Sequence, residues 1–96
     1  MKTGYTRHAA ERAQQRGVPH LVTDWLLNYG ERTFDGRGGV IRHFTRRSVR
    51  RMERELGGAP VRRLSEFLRC YLVQSAYDGT IVTVGKRFPK ARIWRH

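Results

Sequence analysis

The stretch that decides the fold covers residues 67–88 and reads FLRCYLVQSAYDGTIVTVGKRF. Its centre, Asp78-Gly79, is a strong hairpin signal because Gly adopts the positive φ that tight turns between strands require. The residues before this turn, 67–76, are apolar on both faces, which is typical of a strand inside a sheet. Residues 80–88 follow as the antiparallel partner, in which strict alternation predicts that Ile81 and Val84 face opposite sides.

Two helices are predicted before this hairpin. Residues 6–16 are rich in Ala, Gln, Glu and Arg, which favour helices, and Gly17 is a natural residue to end the first helix. Val18-Pro19 opens the second helix, because Pro is tolerated in a first turn, and Gly30 ends it. The apolar residues of the second helix recur at helical spacing and form one core-facing stripe: Leu21, Val22, Trp25, Leu26 and Tyr29. These patterns predict a helical hairpin.

The middle of the chain is predicted to add two strands and a third helix. Short strands at 32–35 and 40–44 flank a Gly-rich turn, and Thr45 is placed to cap a helix that runs to residue 56. Residues 59–66 contain a proline and are interpreted as a connector. The predicted fold class is α+β, in the order α-α-β-β-α-β-β, with an antiparallel sheet of about four strands packed by the N-terminal helical hairpin.

Length and composition predict a single domain over residues 1–96, because 39% hydrophobic residues build one core and not two. No apolar run is long enough to cross a bilayer and no secretory signal is visible, so we expect a cytoplasmic protein. The single cysteine, Cys70, excludes an internal disulfide and a Cys-based zinc site. Four His residues without Asp or Cys at ligand spacing predict neither a metal nor another cofactor.

Charge is the strongest compositional signal. Lys and Arg number 20 against 8 Asp and Glu, which gives a formal net charge of +12. Arg outnumbers Lys, and guanidinium groups bind phosphate with two parallel hydrogen bonds and stack on bases. A genome rich in G·C also produces surplus Arg, but that bias usually adds Glu as well, and acidic residues are scarce in this chain. The composition therefore favours a polyanion as partner, with RNA the leading candidate.

Basic residues concentrate on the third helix and in the C-terminal tail. Five Arg within nine residues suit phosphate binding, although a solvated helix face explains the same pattern. In the tail, basic residues alternate with aromatic ones, a combination that suits single-stranded nucleic acid; Trp94 packed on the sheet is the alternative. The predicted nucleic-acid-binding residues are Arg46, Arg47, Arg50, Arg51, Arg54, Lys86, Lys90, Arg92 and Trp94.

Two histidines are candidates for chemistry. His8, Arg12 and Arg16 follow one another at intervals of four and form one stripe on the first helix, where an imidazole and two guanidiniums suit a phosphate site. A solvated polar face beside packed Ala residues explains the same spacing. His43 lies on the second strand, and a position across the sheet from Thr83 or Arg87 would give it a functional setting. A structural hydrogen-bonding group is the alternative for His43.

One motif carries a family resemblance. The run His8-x-x-x-Arg12-x-x-x-Arg16-Gly17-Val18 and the closing stretch Ile81-Val82-Thr83-Val84-Gly85-Lys86-Arg87 resemble the two ends of a widespread bacterial domain family of unknown function. That family in turn resembles the RelE and BrnT toxins, small metal-independent ribonucleases with two helices on a four-stranded antiparallel sheet. The resemblance implies a catalytic set of His8, Arg12, Arg16, Thr83 and Arg87. It also implies that the helix at about 45–56 is an insertion. Pro19 and His20 depart from the family pattern, which often has Ser there.

Two classes of function follow from these observations. The resemblance implies a toxin-type endoribonuclease that cleaves single-stranded RNA, such as ribosome-associated mRNA, and an acidic antitoxin that masks the basic surface. In that mechanism His8, or else His43, takes a proton from the ribose 2′-OH and Arg side chains stabilise the phosphate. The alternative is a non-catalytic nucleic-acid-binding module or accessory protein. A third expectation is a basic protein whose partner is an acidic protein.

Overall fold

A computed structural model of the protein describes residues 5–86. The helices are α1 (Arg7–Gln15), α2 (His20–Tyr29), α3 (Arg46–Leu56) and α4 (Gly58–Arg63), with a single 3₁₀ turn at Ser65–Phe67. The strands are β1 (Glu31–Phe34), β2 (Gly39–His43), β3 (Tyr71–Ser75) and β4 (Ile81–Gly85), which form one antiparallel sheet in the order β1-β2-β3-β4. The predicted α+β class with a four-stranded antiparallel sheet is confirmed. No helix among residues 5–86 is long and apolar enough to cross a membrane.

Short polar caps define the ends of the helices. The Thr6 hydroxyl accepts the backbone N–H of Ala9 at 3.1 Å and starts α1, while Gly17 ends that helix at φ 64°. Thr45 starts α3 as predicted, and its capping box is completed by Ser48, whose hydroxyl accepts the Thr45 N–H at 3.1 Å. The beginning of α3 is therefore set by local sequence alone, immediately after β2 ends.

The predicted connector at residues 59–66 is wrong, because residues 58–63 form α4. Pro60 suggests a loop in the sequence, but it lies in the first turn of α4, where its missing N–H removes no helical hydrogen bond. Val61 is buried and joins the hydrophobic core, which supplies the packing that makes so short a helix stable. Gly57, at φ 91°, separates α3 from α4.

Strand β3 has the inner position that was predicted, but it is shorter than predicted. Residues 67–70 do not belong to it, because the chain turns into the core at Leu68 and Cys70 before Tyr71 begins the strand. Cys70 is buried as expected for an inert core residue, and burial raises the pKa of its thiol to about 11.

The predicted alternation along β4 is wrong because of a β-bulge. Val84 pairs with Leu72, whereas Ile81 pairs with Gln74, so β4 has one more residue than β3 between these pairs. Leu72 and Gln74 are two apart and share a face, and therefore Ile81 and Val84 also face the same side. Both are fully buried in the core.

The helices cover one face of the sheet, called here the helix side. Helix α1 packs on β4, and α2 contacts β2 and β3. A parallel bridge between Tyr5 and Ile81, with the Thr6 N–H donating to the Ile81 carbonyl at 2.8 Å, fixes the start of α1 beside the edge of β4. Gly30 allows α2 to pass directly into β1, since a Cβ there would lie 2.5 Å from the Leu26 carbonyl oxygen.

Candidate nucleic-acid interface

A cleft of about 380 Å³ opens where β1, β2 and the first turns of α3 meet. We call it the β1–α3 cleft. It is lined by Glu31, Arg32, Thr33, His43, Thr45, Arg47 and Arg50. Three guanidiniums, two hydroxyls and an imidazole thus surround one carboxylate, so the lining is predominantly cationic and rich in hydrogen-bond donors.

Strand register and helix capping place these side chains together. Glu31 is directly opposite His43 in the β1–β2 ladder, and Thr33 lies two residues further along the same face of β1. Because β2 ends at His43 and α3 begins at Arg46, the early α3 residues Arg47 and Arg50 lie beside the strand ends. The cleft therefore depends on the β1–β2 hairpin and on the α3 cap, not on a single sequence motif.

His43 forms the buried wall of this cleft. Only 2% of its side-chain surface is exposed, and its Nε2 lies 2.9 Å from the Thr33 hydroxyl oxygen. Burial lowers the pKa of His43, while a hydrogen bond with the Phe44 backbone and the charge of Glu31 act in the opposite direction. The imidazole is therefore neutral at physiological pH, and the exposed Thr33 presents the polar end of the pair to solvent.

The predicted Arg cluster of α3 divides according to helix face. Arg47 and Arg50 line the β1–α3 cleft, and Arg46 and Arg54 are exposed. The guanidinium of Arg51 instead lies 5.3 Å from the centre of the Tyr29 ring, on the side of α3 that meets α2. An acidic residue of α3 forms a hydrogen bond on the same side, since the Tyr29 hydroxyl donates to the Glu55 carboxylate at 3.0 Å. All five predicted Arg residues are exposed, and Arg51 differs from the others in its contact with Tyr29.

The predicted stripe on α1 has a different environment. Two side chains four residues apart on a helix differ in direction by about 40° around the axis, so a stripe at this spacing drifts around the helix. His8 is exposed, Arg12 is half-buried, and Arg16 turns toward the sheet, where its Nη1 donates to the Val84 carbonyl at 3.4 Å. Arg16 is consequently a contact between α1 and β4.

Among residues 5–86, the structure does not gather the predicted catalytic residues into one site. Thr83 pairs with Val73 on the face opposite Leu72 and Val84, whereas α1 covers the helix side. His43 and Thr83 lie on the same face of the sheet but are not neighbours. His43 pairs with Tyr71, which pairs with Gly85, so β3 lies between the two side chains and Thr83 is also two residues away along β4. Arg87 lies outside the described residues, as do Lys90, Arg92 and Trp94.

Lys86, the remaining predicted nucleic-acid-binding residue, is exposed directly after β4. Its ammonium lies 5.8 Å from the centre of the Phe67 ring. The register of Gly85 with His43 places Lys86 at the same end of the sheet as the β1–α3 cleft. The cleft and Lys86 therefore place positive charge at the same end of the sheet.

Sequence reasoning missed Glu31, Arg32, Thr33 and Thr45 as lining residues. The Gly-rich turn between β1 and β2 could have revealed them, because the turn fixes the register of the hairpin and the correct register pairs Glu31 with His43. Another arginine, Arg42, is structural: it donates to the carbonyls of Leu27 at 2.8 Å and Gly30 at 3.4 Å, and to the Gln74 side chain at 3.0 Å. It therefore caps the end of α2. Within residues 5–86, no group of three or more His, Cys, Asp or Glu is arranged to hold a metal.

Comparisons of the chain with protein-family models, with curated proteins and with solved structures found no match. The resemblance to the RelE and BrnT toxins therefore stays a prediction from the motif residues.

Proposed function

We propose that this protein binds RNA and that the β1–α3 cleft holds a backbone phosphate. One observation carries the proposal: Arg32, Arg47 and Arg50 converge on a cleft that also offers the hydroxyls of Thr33 and Thr45. Guanidinium forks and hydroxyl donors are the groups that bind phosphodiester oxygens. The cleft also lies at the N-terminal end of α3, where the helix dipole adds positive potential.

The surroundings of the cleft extend this surface along a chain of phosphates. Exposed Arg46 and Arg54 continue the basic face of α3, and Lys86 lies at the same end of the sheet. The formal charge of +12 provides long-range attraction for a polyanion. Several phosphate contacts in a row predict an affinity that falls steeply as salt concentration rises.

The double variant Arg47→Ala/Arg50→Ala tests the phosphate site. Measured by fluorescence anisotropy with a labelled single-stranded RNA, its affinity is expected to fall by about tenfold or more, and the slope of log K against log salt by about two. The matched control is Arg62→Ala/Arg63→Ala, which removes two exposed charges from α4. Equal losses in both variants would show that only net charge matters and would reject the cleft as the binding site.

A second candidate function is metal-independent cleavage of single-stranded RNA in the manner of a toxin, for which the Thr33–His43 pair is the favouring observation. A neutral imidazole behind an exposed hydroxyl forms a proton relay next to the phosphate-binding guanidiniums. In this scheme the Thr33 oxygen takes the proton of the ribose 2′-OH and passes its own proton to His43 Nε2. The 2′-oxygen attacks phosphorus and the bond to the 5′-oxygen breaks. That oxygen takes a proton from water, and the resulting hydroxide is neutralised by the proton held on His43.

Such a reaction leaves a 2′,3′-cyclic phosphate and spares DNA, which lacks the 2′-OH. The test is an RNA cleavage assay in EDTA with the wild type, Thr33→Val and His43→Gln, and with His8→Ala for the base that the α1 motif predicts. Loss of cleavage in both Thr33→Val and His43→Gln, with cleavage retained in His8→Ala, supports the relay. Loss in His8→Ala with full activity in Thr33→Val assigns the base to α1 instead. An acidic antitoxin and ribosome-associated mRNA are partners of this second candidate only.

If the RNA stays intact and is bound in a salt-dependent manner, the protein binds RNA without cleaving it.

A further inference from the structure

Two strongly exposed aromatic side chains lie at the end of the sheet opposite the β1–α3 cleft. Phe34, the last residue of β1, is 69% exposed, and Tyr77, in the turn between β3 and β4, is fully exposed. The exposed Arg37 lies in the neighbouring turn between β1 and β2. We call Phe34, Arg37 and Tyr77 the hairpin-end patch. Neither the predicted motifs nor the proposed phosphate site uses these residues.

We infer that the hairpin-end patch binds unpaired bases of the same RNA strand whose phosphate occupies the cleft. The inference rests on the proposed RNA-binding function and specifies the form of the partner, a single strand. Aromatic side chains next to guanidiniums are the groups on which the bases of single-stranded RNA stack, and stacking requires bases that are not paired.

The two turns of the patch are adjacent in space. The Ala76 N–H donates to the Gly38 carbonyl at 2.8 Å, which joins the β1–β2 turn to the β3–β4 turn. Phe34 pairs with Val40, and Val40 pairs with Gln74, so a single row across the sheet connects Phe34 to the base of the second turn. The aromatic side chains thus belong to one end of the sheet.

Both turns are held by side-chain hydrogen bonds, so the aromatic residues are presented on ordered backbone. Asp35 accepts the N–H groups of Arg37 at 2.6 Å and Gly39 at 2.9 Å. In the other turn Asp78 accepts the Thr80 N–H at 2.9 Å. Ordered turns reduce the entropy that is lost when a ligand binds, which favours their use as a contact surface.

Strand β1 connects the patch to the cleft. It begins at Glu31 in the cleft and ends at Phe34, a distance of about 10 Å at the rise of an antiparallel strand. All four residues of β1 are exposed, so this edge is accessible to an RNA strand. Phe34 shares a face of β1 with Arg32 of the cleft, whereas Thr33 faces the other way. A short single strand that crosses the β1 edge therefore places a phosphate in the cleft and bases against Phe34 and Tyr77.

The test compares Phe34→Ala and Tyr77→Ala with Leu21→Ala, which removes a 48%-exposed apolar side chain from α2. The probes are labelled single-stranded oligoadenylate and an RNA duplex of the same length. We expect each aromatic variant to lose about tenfold in affinity for the single strand, with unchanged duplex affinity and an unchanged salt slope, while Leu21→Ala behaves as the wild type.

Three results would overturn the inference, and they differ from failure of the proposed function. Unchanged single-strand affinity in both aromatic variants, while Arg47→Ala/Arg50→Ala still loses binding, rejects the patch alone. Equal losses for single strand and duplex reject base stacking. A dimer in sedimentation that Phe34→Ala converts to a monomer assigns the patch to contact between copies. Absence of RNA binding by the wild type rejects both proposals.

Discussion

Helices α1 and α3 both carry basic residues at helical spacing, yet the fold uses them differently. On α1 the stripe drifts toward the sheet, and its last member, Arg16, bonds to the backbone of β4. On α3 the buried residues Ser48 and Met52 occupy one side, which leaves Arg47 and Arg50 on the side that forms the cleft. The position of basic residues at helical spacing therefore depends on which face of the helix packs against the rest of the protein.

The same lesson applies within the sheet. Arg42 and His43 are neighbours in β2, and alternation sends their side chains to opposite faces. Arg42 faces the helix side and holds the end of α2, whereas His43 faces the cleft and bonds to Thr33. Adjacent basic residues therefore have different surroundings, one under α2 and the other at the β1–α3 cleft.

The largest expected effect is on stability, from Arg42→Ala. This change removes three hydrogen bonds from a half-buried guanidinium and leaves carbonyls at the end of α2 without their donor. We expect a loss of about 2–3 kcal/mol in the free energy of unfolding, measured by urea denaturation. Arg37→Ala, at an exposed turn, is the control with the same charge change. A loss no greater than that of the control would contradict the structural role of Arg42.

The next effect compares RNA affinity between the two helices. His8→Ala/Arg12→Ala on α1 is expected to change affinity by less than about threefold, against tenfold or more for Arg47→Ala/Arg50→Ala on α3. The reason is that the α1 stripe lies on the helix side, away from the β1–α3 cleft. Anisotropy titrations at one salt concentration measure both. A larger loss from the α1 variant would move the binding site to the motif predicted by the sequence.

Arg16→Met gives a smaller change, again in stability. Met keeps most of the aliphatic contact but removes the 3.4 Å hydrogen bond to Val84. We therefore expect a loss of about 0.5–1 kcal/mol in the free energy of unfolding. RNA affinity should fall by no more than the loss of one phosphate contact would cause. Thermal unfolding and the same titration provide the two readings. Unchanged stability together with a tenfold loss of RNA affinity would mean that Arg16 binds RNA directly.

The smallest effect is a pH dependence of stability from His43. Its pKa in the folded protein is lowered, so near and below the ordinary value of 6.5 the unfolded chain binds more protons than the folded one. The contribution of His43 to the free energy of unfolding is therefore complete above about pH 6.5 and is lost as pH falls toward the pKa of His43 in the folded protein. The melting temperature should decline from pH 7.5 to 5.5 in the wild type and less steeply in His43→Gln. Parallel declines would exclude His43 as the cause.

Local signals in the sequence predicted most of the elements. The Asp78-Gly79 turn, the Thr45 cap and the glycines that end α1 and α2 act through nearest neighbours, and the structure confirms the elements that they delimit. The β4 bulge and helix α4 escaped prediction for a common reason. Each depends on packing against residues that are distant in the sequence, which overrides the local alternation of β4 and the loop signal of Pro60.

For the candidate site, the sequence identified the residue types more successfully than their arrangement. The predicted residues His43, Arg47 and Arg50 line the cleft, whereas the predicted His8, Arg12 and Arg16 lie on α1, on the helix side. Thr33 carried no motif, and its role follows only from strand register. A single residue of slippage in the β1–β2 hairpin would turn Thr33 away from His43.

The sequence by itself determined the α+β class, the antiparallel hairpins and the surplus of positive charge, because these depend on composition, periodicity and turn chemistry. Only the tertiary structure decided which cations are structural, since burial of Arg42 and Arg16 depends on the helix that packs over them. It also decided that a buried His43, an exposed Thr33 and three guanidiniums share one cleft. Side chains from three separate elements meet there, and no local pattern specifies such a meeting.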